Sequence, residues 1–156
     1  MNRILSYSGI ALTAVLLTGC ISIETTPSPS ADRLPIPSET AQINLVNGTM
    51  ALFADGVAAK DFTTFYDNLG SLWHAQTTPA QLRSLFTVFI DREIPMQGVK
   101  TTTPTITPPA SIDDSNGFLV VQGNYALPEF HLVFTVKYQP QDGAWKLAYF
   151  NAETEK

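Results

Sequence analysis

Ile43, Val46, Met50, Phe53, Ala54 and Val57 fall three or four positions apart, a spacing that stacks them on one side of an α-helix. Asn47-Gly48 interrupts this stripe with a turn-prone pair, so the helix is expected to begin only after it. A second stripe, Phe62, Phe65, Tyr66, Leu69, Leu72 and Trp73, follows Asp61, whose carboxylate suits the cap of a helix start. The third start is Thr78-Pro79-Ala80-Gln81. There Thr78 can accept the Gln81 amide while the Gln81 side chain reaches back, and proline takes the first helical position, which needs no N–H. Leu82, Leu85, Phe86, Phe89 and Ile90 form the expected inner face of that helix.

Beyond Asp91 the period shortens to two. Residues 94–107 are broken by Pro95, Gly98 and Pro104 and can hold no more than a short edge strand. Asp114-Ser115-Asn116-Gly117 predicts a hairpin turn leading into a strand over residues 118–127. Phe130, Leu132, Phe134, Val136 and Tyr138 then alternate with His131, Val133, Thr135 and Lys137. After a turn at Pro140-Gln141-Asp142-Gly143, Trp145, Leu147 and Tyr149 alternate with Lys146 and Ala148, which directs these three at the helices. The fold class is α+β: about three N-terminal helices packed on a curved antiparallel sheet of three to four strands.

The start of the chain has a different pattern. Met1-Asn2-Arg3 is basic, and residues 4–17 are apolar apart from small residues and Tyr7. That run falls short of the ~20 residues needed to span a bilayer, but it suits the hydrophobic region of a signal peptide. It closes on Leu17-Thr18-Gly19-Cys20, which resembles the lipobox of bacterial lipoproteins at all four positions. The resemblance implies cleavage between Gly19 and Cys20, diacylglycerol on the Cys20 thiol and an acyl chain such as palmitate on the new amine. No other cofactor is expected. Each buried CH₂ contributes ~0.8 kcal/mol, so two or three chains fix a protein to a membrane where one would not. Ile21 stands where an aspartate would resemble an inner-membrane retention signal, so the expected address is the outer membrane, facing the periplasm.

Residues 1–19 are therefore read as signal peptide, 20–40 as a lipidated tether and 41–156 as one domain. Pro27, Pro29, Pro35 and Pro37 lie among Ser and Thr in that tether. Such a segment buries too little to offset its ordering entropy, and its reach is up to ~3.1 Å per residue.

Composition narrows the function. The formal charge is −5 with no basic cluster, which excludes a nucleic-acid groove. A single cysteine, used by the anchor, leaves no disulfide, no zinc cage and no thiol nucleophile. Asp113-Asp114 lacks the ligand spacing of a calcium loop, and phosphate-cradling and Gly-x-Ser-x-Gly motifs are absent from the sequence.

The helix-then-strand order and the closing Asp142-Gly143, Trp145-Lys146-Leu147 pattern are similar to the cone-shaped fold of the nuclear-transport-factor-2-like superfamily, also called cystatin-like or SnoaL-like, over residues 41–153. That resemblance implies either isomerase or dehydratase chemistry with Tyr, Asp or His inside the cone, or protein binding with no catalysis. The cavity candidates are Tyr66, Trp73, His74, Tyr125, His131 and Tyr149, with Glu129 as a carboxylate partner. A His–carboxylate pair tuned by burial is the general base such chemistry would use. Plainer roles compete: His74 at a helix end, His131 on the polar side of its strand, and Trp73 and Trp145 in the core. The expectation is a non-enzymatic binding module serving an envelope protein complex, with a homodimer through the sheet as a further partner. The alternative is a small apolar ligand bound or transformed in the cone.

Overall fold

The computed structural model describes residues 34–155 and has the α+β architecture, with helices first and then a five-stranded antiparallel sheet that does not close. The signal peptide, Gly19, Cys20 and the tether up to residue 33 lie outside the described residues. Glu39 and Thr40, assigned to the tether from composition, form the first turn of a helix instead.

Helix α1 (Glu39–Ala59) starts at Ser38, whose hydroxyl accepts the Ala41 N–H at 3.4 Å. It ends at Lys60, which adopts a left-handed φ of 57° and returns its N–H to the carbonyls of Gly56 and Val57. Contrary to the expected start after Asn47-Gly48, the helix runs unbroken through that pair. A mid-helix glycine costs about 1 kcal/mol, while burying Val46, Met50 and Phe53 contributes about 1.5–3 kcal/mol each. All three are fully buried, so burial wins.

The second and third stripes form helices, but each is cut in two. α2 (Thr63–Asp67) and α3 (Ser71–His74) are separated where the Gly70 N–H donates to the Leu147 carbonyl at 2.8 Å. Asp61 lies one residue before the cap position, which Phe62 occupies, and its carboxylate accepts from the amide and hydroxyl of Thr63. Those two bonds, the hydroxyl's first, hold the Asp61 carboxyl below its ordinary value. α4 (Pro79–Leu85) keeps the expected Thr78 cap, with the Gln81 N–H on its hydroxyl at 3.3 Å. The Gln81 side-chain oxygen accepts a hydrogen bond from the Thr78 hydroxyl, instead of the side chain reaching back to the cap amide. A break at Phe86 separates it from α5 (Thr87–Asp91). One inner-face assignment is corrected: Leu85, on the flank of the Leu82–Phe86 line of α4, is 62% exposed, whereas Leu82, Phe86, Phe89 and Ile90 are buried.

A 3₁₀ helix at Met96–Lys100 then packs on α1, with Gln97 Nε2 donating to the Ala54 carbonyl and Lys100 paired with Asp55. The strands are β1 (Thr105–Ile106), β2 (Ser111–Asp113), β3 (Phe118–Ala126), β4 (His131–Gln141) and β5 (Ala144–Glu155). β1 and β2 both pair with β3, and the order continues through β4 to β5. The first hairpin turn falls where the sequence places it, and the second is tighter than expected, since Pro140 and Gln141 still pair with Trp145 and Ala144. Asp113 accepts the Ser115 N–H and hydroxyl, and Asp142 and Gly143 take φ of 52° and 74° in a tight turn.

Alternation along β3 and β4 buries Leu119, Val121, Tyr125, Leu132, Phe134, Val136 and Tyr138 against the helices. β5 departs from the expected pattern. Tyr138 pairs with Leu147 and Lys137 with Tyr149, so Ala148 is an extra residue, a β-bulge. The bulge reverses the facing of everything after it. Phe150 is buried in place of Tyr149, which lies on the outer face under Lys137.

Candidate functional site

The space between helices and sheet, where a cone-type enzyme would hold its substrate, is filled by aromatic rings. Phe53 of α1 has its centroid within 4.7–5.9 Å of Phe62, Phe65, Phe86, Phe89 and Phe150. Most of these meet edge to face or tilted, the geometry that the ring quadrupole favours. Tyr125 is fully buried against Phe134 and donates its hydroxyl to Asn47 Oδ1 at 2.7 Å. Tyr138, also buried, meets Thr49 Oγ1 at 2.9 Å and can reach the Leu45 carbonyl. Burial pushes both phenols well above their ordinary range, so they are neutral donors at physiological pH. Every described buried side-chain nitrogen or oxygen has a hydrogen-bond partner within the protein.

The remaining candidates sit at the surface in three separate places. Tyr66 and His74 come together across the α2–α3 break. Their rings stack at 4.5 Å, and the His74 ring nitrogen Nε2 lies 2.8 Å from the Tyr66 carbonyl, so a backbone group engages the imidazole. Trp73, half-buried against the core, shares a cleft of 280 Å³ with Leu72, Ala148 and Tyr149. His131 opens β4 at the exposed end of the sheet, opposite Ala126 and Glu155, and Glu129 lies in the preceding turn. The space between helices and sheet therefore contains one of the six proposed cavity residues, Tyr125, and its hydroxyl is spent on Asn47. Among the described residues no cluster of three His, Cys, Asp or Glu could hold a metal ion, and no helix is long and apolar enough to cross a membrane.

Several side chains have roles that the sequence reading did not assign to them. Asn47 accepts from the buried Tyr125 phenol, and Thr49 hydrogen-bonds that of Tyr138. Buried Gln139 donates to the Ser71 hydroxyl at 3.0 Å and to Gln141 at 2.8 Å, while Gln141 accepts the Ser71 N–H. That network ties the start of α3 to the β4–β5 hairpin. A groove of 440 Å³ between α4–α5 and the second half of β5 was also missed. No cap or glycine marks the break at Phe86 between α4 and α5, so the sequence carried no signal for it. No protein-family model, no curated protein and no solved structure matches the chain.

Proposed function

We propose that the chain is an outer-membrane lipoprotein anchored through Cys20 and facing the periplasm, whose α+β domain is a non-enzymatic interaction module. The observation that carries the module reading is the filled interior. Aromatic side chains occupy the space a substrate would need, and the one cavity candidate there, Tyr125, is committed to a structural hydrogen bond. The imidazoles are exposed at separate ends of the domain, where neither meets a carboxylate in an ion pair among the described residues. Such a domain has its surface to offer, and an interaction module uses its surface. The anchor rests on the basic start, the short apolar run and the Leu17-Thr18-Gly19-Cys20 order.

Labelled palmitate tests the anchor. Wild type is expected to take up label and to sediment with the outer membrane, and Cys20→Ala is expected to do neither. Equal labelling of the two, or a wild type recovered without membrane, refutes it.

A further inference from the structure

β5 is the last strand of the sheet. One edge pairs with β4 throughout, whereas the other is met at Leu147, whose carbonyl accepts from Gly70 beside the short Leu69 bridge. Past Leu147, no backbone hydrogen bond reaches that outer edge among the described residues. The 440 Å³ groove runs alongside it. Leu85, Phe86, Val88, Phe89 and Ile94 form one wall, and residues 150–154 form the other. A strand that shows a face contributes every second residue. Five consecutive residues can line one groove only if the strand presents its edge, N–H and C=O groups included. On the opposite wall Leu85 and Val88 are 62% and 48% exposed, so two large apolar side chains stand beside an open ladder.

We propose that this groove is a strand-addition site: an extended segment of a partner polypeptide pairs with the outer edge of β5 and lays alternate apolar side chains on Leu85 and Val88. Charge selects the partner. Among the described residues Glu153 is the only charged one lining the groove, and the strand ends at Glu155. A second copy of the chain is a poorer occupant than a basic segment, because β5 after Lys146 carries Glu153 and Glu155 and no cation, and so offers no charge complement to the same edge of another copy. The complementary segment alternates apolar residues with Lys or Arg. The described start of the domain lies away from the groove: Leu34, Pro35 and Ile36 sit beside Ile112 of β2, at the opposite edge of the sheet. This inference rests on the interaction-module reading and is independent of the lipid anchor.

The test uses the full-length chain in detergent and a pool of ten-residue peptides with Lys or Arg at alternate positions and varied apolar residues between. Binding is expected to slow amide exchange across residues 148–155. Leu85→Lys and Val88→Lys, both at exposed positions, are expected to melt like wild type and to weaken binding at least about tenfold. N-methylation of alternate peptide amides should abolish binding in one register and spare it in the other, as a one-sided ladder requires. Absence of binding, equal binding by both methylated registers, or equal binding by a Glu-substituted pool overturns the proposal. So does a concentration-dependent dimer that protects the same amides, which would make a second copy the occupant. Cross-linking in the native envelope separates the two levels of failure. A polypeptide captured on another face leaves the module reading intact and removes the groove, whereas no capture anywhere removes both.

Discussion

Two glycines show how differently one residue type can act. Gly48 sits exposed in mid-α1, and a Cβ built there meets nothing within 4 Å. Its helical conformation is one alanine prefers, so Gly48→Ala should stabilise the domain by about 0.5–1 kcal/mol and raise the melting temperature by a few degrees. Gly123 is the reverse case. A Cβ there would lie 2.1 Å from the Thr105 carbonyl oxygen and 2.9 Å from the Phe134 ring, because β1 crosses closely at this point of β3. Gly123→Ala should cost about 1–3 kcal/mol in a denaturant melt, since backbone and ring must both give way. Neither property was legible in the sequence. Asn47-Gly48 reads as a turn from local chemistry, and the constraint at Gly123 comes from a strand distant in the chain.

At the scale of elements, what was legible is what periodicity and turn chemistry encode: three apolar stripes, the alternation of β4, and the turn that opens β3. The interruptions were not, because each depends on a partner elsewhere. α2 ends where Gly70 is drawn to Leu147, and β5 changes face where Ala148 bulges against Lys137 and Tyr138. The bulge has a direct consequence. Phe150→Ala should lose about 3–5 kcal/mol, a large part of the about 5–15 kcal/mol that holds an ordinary domain together. Tyr149→Ala should lose no more than about 1 kcal/mol, the worth of its contact with Lys137. Thermal melts of the two variants, with wild type beside them, check both values. The β2–β3 turn carries a pH signature. The hydroxyl of Ser115 first, then its amide, with Lys137 at 3.7 Å, hold the Asp113 carboxyl below its ordinary value. A folded value below the unfolded one gives stability that is complete above the carboxylate range and is lost as pH falls through the depressed value. Asp113→Asn should therefore flatten the acid limb of a stability–pH profile below about pH 4 and leave its shape near neutrality unchanged.

For the whole molecule, the α+β class followed from the order of stripes and alternations, whereas the interior could not be read. A sequence lists aromatics without saying whether they line a cavity or close it; here they interlock around Phe53. That packing moves the search for function from the middle of the domain to its rim, where β5 and α4–α5 leave apolar side chains and strand edge together. The proposed anchor and this rim belong to one picture, a domain held at the membrane by Cys20 and working through contacts with other polypeptides. Mass spectrometry of the protein taken from its own membrane tests that picture most directly, recorded once under non-denaturing conditions and once after denaturation. The expected denatured mass is that of the chain from Cys20 onward with diacylglycerol and an N-acyl chain, and the non-denatured protein is expected to hold no further small molecule. A chain that begins at Met1 with a free thiol, or a stoichiometric small molecule released on unfolding, would contradict it.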